Sequence, residues 1–136
     1  MQFDTKIAVV LRDDLAGWQE TNVTAFLVSG IAATVPGVVG DPYRDASKNE
    51  YLPMFVQPVL VYQADKDGLR RAYERAMSRG VRPAIYTHEL FTTDHDEANR
   101  AAVAGVPAEE LDLVGIAFRA ERKIVDKVVD RLRFHP

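Results

Sequence analysis

Two short segments crowd together the residue types that do chemistry. The first, RDDLAGWQETN, offers Arg12, Asp13, Asp14, Trp18 and Asn22. The second, YTHELFTTDHDEANR, offers Thr87, His88 and Glu89, then His95 among further carboxylates. An imidazole titrates near neutrality, so His88 suits a general acid or base, with Asp14 as the other candidate base. Asn22 can donate to a developing oxyanion, Arg12 can clamp an anion, and Trp18 can form a stacking wall. Thr87 and Glu89 flank His88 as candidate substrate contacts. A structural reading competes at each position: Arg12 paired with a carboxylate, Asp14 capping a helix, Trp18 lying over the core, His88 merely exposed at a strand end.

Other chemistries have less support. A metal would need His88, His95 and Glu89 or Asp96, and seven-residue spacing of the histidines matches no compact ligand motif. Asp94 and Glu97 stand three apart before NRAAVAG, the pattern of a capping box, which gives both carboxylates a structural task. Ser29, Ser47 and Ser78 lack the G-x-S-x-G setting of a hydrolase nucleophile. The chain has no cysteine, which removes thiolate chemistry and disulfides. Neither a metal nor a cofactor is expected.

The elements that must position these residues follow from periodicity. KIAVVL (6–11) is an uninterrupted apolar run, expected to be a strand buried on both faces. Val23, Phe26, Leu27, Gly30, Ile31 and Thr34 mark one face of a helix that ends before Pro36, with Thr21 or Asn22 as its cap. Residues 36–55 are rich in proline and glycine and predict an excursion or small hairpin. PVLVYQA (58–64) is a second strand. Residues 65–80 form a helix with Leu69, Ala72, Tyr73, Ala76 and Met77 inward and Gly80 at its end. RPAIYT (82–87) is a third strand, followed by a short helix over 95–104. LDLVGIAF (111–118) is a fourth strand, and residues 121–134 close the chain as an amphipathic helix. Strands alternating with helices predict an α/β fold built as one domain over 1–136. Ligands of such sheets bind beyond the carboxyl ends of the strands, where both segments fall.

Composition narrows the classes. Hydrophobic residues make up 47% and charged residues 27% of 136 residues, the balance of a folded domain rather than a disordered chain. No run approaches a membrane span, and a cytoplasmic location is expected. The net charge is −3, whereas proteins that grip a phosphate backbone usually carry a basic surplus, so nucleic acid is a disfavoured partner. Arg70, Arg71, Arg75, Arg79 and Arg82 gather in one region, either as an anion patch or as a solvated helix face balanced by Asp65, Asp67 and Glu74. Met54 and Phe55, apolar residues in the excursion, make a homodimer contact conceivable.

Three stretches together carry a family resemblance: KIAVVLRDDL, QPVLVYQADKDGLRRAYERAMSRGVRPAIY and LDLVGIAFRAERKIVDKVVDRL. They resemble type II peptidyl-tRNA hydrolases throughout, except over 36–55 and 91–108. RDDLAGWQETNVTAFLVSGI, DPY and YTHELFTTDHDEANR resemble more closely DUF2000, a relative of unknown function. The resemblance implies a three-layer α/β/α sandwich with a mixed four-stranded core sheet, often dimeric. The lysine, glutamine and histidine that the hydrolases present on their first helix fall here on Asn22, Phe26 and Ser29. The hydrolases' Asp-Ala-Gly after the third strand is replaced by Thr87, His88 and Glu89, and only Arg12 and Asp14 stay in place. Three expectations follow. The first is a hydrolase acting on a small polar substrate at the ends of strands one and three. The second is a non-catalytic ligand- or partner-binding module. The third is peptidyl-tRNA recognition with altered chemistry.

Overall fold

A computed structural model describes residues 3–136. Its first strand, β1 (Thr5–Arg12), is the central strand of a five-stranded sheet. β4 (Val59–Ala64) pairs with it in parallel, and β6 (Leu113–Glu121) pairs antiparallel on its other side. β5 (Ala84–Thr87) forms one edge against β6, and β7 (Arg133–Phe134) forms the other against β4. The order is therefore β5-β6-β1-β4-β7. The sheet is mixed, as expected, but has five strands where the resemblance implied four.

The continuous apolar run of β1 is explained by helices on both faces. Ile7, Val9 and Leu11 pack toward α1 (Gly17–Thr34), where Val23, Leu27 and Ile31 meet them. Ala8 and Val10 face the opposite side, against Leu69, Ala72 and Ala76 of α2 (Lys66–Ser78) and Val125 and Val128 of α4 (Arg122–Val128). Alternate residues of one strand thus feed two cores. α1 lies close on the sheet because β6 carries Gly115, where an added Cβ would come 2.8 Å from Val23 Cγ1. α3 (Asp96–Ala104) follows β5 after a 3₁₀ turn, His88–Phe91. Among the described residues, no helix is long and apolar enough to cross a membrane.

Residues 36–55 do contain a small hairpin, β2 (Tyr43–Arg44) and β3 (Glu50–Tyr51). Asp45 clips it by accepting from Tyr51 Oη at 2.7 Å and Asn49 Nδ2 at 3.0 Å. These bonds, the Tyr51 hydroxyl foremost, hold the Asp45 carboxyl at about 2. Phe55 turns inward and packs on the α1-side core, bridging to Val39, so it is not the exposed residue the sequence suggested. Leu52 (85% exposed) and Met54 project outward instead.

Three helix boundaries and one inward residue depart from the sequence reading. α1 is capped at Ala16, whose N–H donates to Gln19 Oε1 at 2.9 Å, rather than at Thr21 or Asn22. Thr21 lies inside the helix and turns its hydroxyl back to the Gly17 and Trp18 carbonyls. α3 is capped by His95, whose Nδ1 accepts the Ala98 N–H at 3.0 Å, so Asp94 and Glu97 form no capping box. Met77 is exposed and does not join the buried stripe of α2. The closing helix stops at Val128. Arg131 takes φ +68°, a left-handed conformation that ends the helical path, and Phe134 returns as β7 to stack on Tyr62 at 4.7 Å. The helical spacing of Val125, Val128 and Leu132 continued past the true end because a turn and a short strand can bury the same side chains.

Candidate functional site

The carboxyl ends of β1 and β5 present two adjoining clusters. In the first, Arg12 closes β1 with only 8% of its surface exposed. Its Nε donates to Asp14 Oδ1 at 2.7 Å, and one terminal nitrogen donates to Asp112 Oδ1 at 3.0 Å and to the Leu113 carbonyl at 3.1 Å. Burial alone would lower the guanidinium's proton affinity; Asp14 and Asp112 outweigh it and hold the group above its ordinary value. Arg12 therefore fastens the end of β1 to the entry of β6.

In the second cluster, aromatic rings surround the 3₁₀ turn. Phe91 meets Trp18 edge-on at 5.9 Å, His88 edge-on at 5.7 Å and Tyr86 at 5.1 Å. Phe26 reaches Tyr86 from α1 at 6.0 Å. Edge-to-face packing of this kind orients rings as well as burying them. Burial holds the Tyr86 hydroxyl above its ordinary value, partly offset by the neighbouring Asn22 amide. Trp18 remains 63% exposed and Phe26 56%. The His88 N–H donates to the Asp112 carbonyl at 2.9 Å, so Asp112 touches both clusters.

The structure thus brings Arg12 and Asp14 together and sets Trp18, Asn22 and His88 around Tyr86 and Phe91. Thr87 is 2% exposed and belongs to the core, while Glu89 is exposed beside it. Asp112 and Phe91 had no signal in the sequence strong enough to select them. A lone Asp before a strand reads as a turn residue, and Phe91 as a lead into α3. Among the described residues, no three His, Asp or Glu side chains converge as a metal would require.

A broad concavity begins at Tyr86 and does not include Arg12. It is a groove of about 570 Å³ between α1, the free edge of β5 and α3. Phe26, Gly30, Ala84, Tyr86, Leu90 and Val103 give it an apolar lining. Ser29, Asn99 and Arg100 contribute polar atoms, and Arg100 is paired with Asp96. The groove exists because the face predicted for α1 divides in two. Val23, Leu27 and Ile31 enter the core, while Phe26 and Gly30 sit beside them uncovered. At Gly30 an added Cβ would meet only Ala84 Cβ, at 4.0 Å.

Comparison with known proteins adds kinship without an activity. Among solved structures, a protein of unknown function from Agrobacterium tumefaciens strain C58 is similar to this chain, 46% identical, with a TM-score of 0.96 over 99% of this chain and 100% of that one. No curated protein matches the chain. The model of the family described as "Protein of unknown function (DUF2000)" matches residues 5–136. Family and fold therefore agree along nearly the whole length, and the chain belongs to the DUF2000 family.

Proposed function

We propose that this protein is a binding module whose groove along α1, β5 and α3 receives the apolar body of a small ligand. The observation that carries this reading is the groove itself, mostly apolar in its lining and including the exposed ring of Phe26. Concave, mostly apolar sites with few polar groups are the usual form of small-molecule pockets. The alternative expectation, hydrolysis of a small polar substrate by Asp14, Asn22 and His88, draws less from the geometry. Asp14 already pairs with Arg12, and His88 packs against Phe91. Peptidyl-tRNA recognition in the manner of the type II hydrolases draws least, since Phe26 and Ser29 stand where those enzymes carry glutamine and histidine. A homodimer through Leu52 and Met54 is a companion proposal, checked by the molecular mass in solution on dilution.

The test uses 1-anilinonaphthalene-8-sulfonate as an apolar probe. Binding should saturate at one site per chain and change the emission of Trp18, the single tryptophan. Gly30→Phe places a ring in the groove and should abolish that response while the melting temperature holds. An undiminished response in Gly30→Phe would remove the groove from the reading. Asn22→Ala, by contrast, should leave probe binding unchanged.

A further inference from the structure

The basic residues that the sequence grouped on α2 disperse in the structure. Arg70 pairs with Glu74 and donates to the Ala108 carbonyl, and Arg75 donates to the Asp130 carbonyl. Arg71 joins a different group. It lines a pocket of about 220 Å³ with Arg131 and Arg133, where the end of β4 meets α2 and β7. This pocket lies toward the β7 edge of the sheet, whereas the apolar groove lies at the β5 edge.

Three guanidiniums converging on one concavity repel each other and raise the local potential for an anion. Among the described residues, none of the three donates a side-chain hydrogen bond or pairs with a carboxylate. Asp13 and Asp65 also line the pocket, but Asp65 is occupied, accepting the Gly68 N–H at 2.7 Å to cap α2. Three cations against two carboxylates leave the pocket net positive, in a chain whose net charge is −3. The tail that brings Arg131 and Arg133 here is packed closely. A Cβ on Gly68 would lie 3.1 Å from Asp65 Oδ1 and 3.7 Å from Leu132 Cδ2. Arg131 itself holds φ +68°, where glycine or asparagine is the ordinary choice.

We infer that Arg71, Arg131 and Arg133 form a binding site for the phosphate group of a small molecule, a phosphate monoester or a diphosphate. Planar guanidiniums match phosphate oxygens in pairs, and a pocket of this size admits a phosphoryl group with little of the molecule that bears it. The site is independent of the groove proposed above.

Calorimetric titration of the full chain with pyrophosphate, at fixed ionic strength, tests the assignment. Wild type should bind saturably, and matched sodium chloride should produce no such isotherm. Arg131→Gly should weaken binding about tenfold, the loss of one or two charge-assisted bonds, without lowering the melting temperature, because glycine accepts the left-handed backbone. Arg71→Gln should weaken it similarly, and Gly30→Phe should leave it intact. The inference is overturned by the absence of saturable binding in wild type, or by wild-type affinity in both arginine variants. It is also overturned if a single-stranded RNA binds more tightly than pyrophosphate with a steep salt dependence, the mark of an extended polyanion surface.

Discussion

α1 and α2 cover opposite faces of the same sheet and do so in different ways. α2 buries Gly68, Leu69, Ala72, Tyr73 and Ala76 along one stripe and gives water a charged surface. α1 is apolar over a much wider arc. Val23, Leu27 and Ile31 fill the core, yet Trp18 and Phe26 remain largely exposed. A helix that needs only to cover a sheet has the narrow stripe of α2. The excess apolar surface of α1 is what stability does not require, and its Phe26 lines the groove.

That contrast can be broken by substitution. Leu27→Ala and Leu69→Ala remove buried side chains from the two faces and should each cost about 3 kcal/mol in denaturant unfolding, because both leave core cavities. Equal losses would show that the inward faces are alike. Arg12→Ala should cost about 2 kcal/mol, since it unpairs Asp14 and Asp112 and frees the buried Leu113 carbonyl at the entry of β6. A change under half of that would demote the cluster to ornament. Phe26→Ser should shift stability by less than about 1 kcal/mol while weakening the anilinonaphthalene sulfonate probe about tenfold. An equally mild Met77→Ser on α2 should leave the probe untouched, and a loss of binding there would erase the distinction between the helices.

The smallest expected effect concerns pH. His135 Nε2 lies 3.1 Å from Glu20 Oε2 of α1, and the His135 N–H donates to the Val61 carbonyl. The Pro136 carbonyl, then Glu20, raise the imidazole above its ordinary 6.5. A raised value means that the folded state favours the charged imidazole. Its stabilisation is complete below the ordinary value and is lost as pH climbs through the higher folded one. Amide exchange at Phe134 and His135 should accordingly gain extra opening as pH rises above the imidazole's ordinary value, beyond base catalysis, and His135→Gln should abolish the gain.

What the sequence disclosed tracks what periodicity can encode. The β1 run, the inward stripe of α2 from Leu69 to Ala76 and the break at Gly80 depend on local patterns, and each was legible, although Met77 was wrongly added to that stripe. Phe26 was not legible as a groove residue. It falls on the helical face shared with Leu27, and only the neighbouring β5 edge decides which of the two is covered. The α1 cap was missed because Ala16 has no side-chain acceptor and Gln19 supplies the bond from inside the helix. The Arg12–Asp112 pair spans 100 residues, and no local pattern announces a partner at that distance. Arg71 was read with its helix neighbours, although its true companions come from the far end of the chain.

The placement of β1 has a kinetic consequence. Ile7 is paired with Val59 on one side and with Arg119 on the other. The first strand to be made therefore gains its second neighbour only when β6 follows it, and it cannot be enclosed until β6 has left the ribosome. Closing loops of such length is slow, and an apolar strand waiting with open edges invites misassociation. Mutations in β6 that barely change the finished fold should thus show themselves first in yield, through the time β1 spends alone.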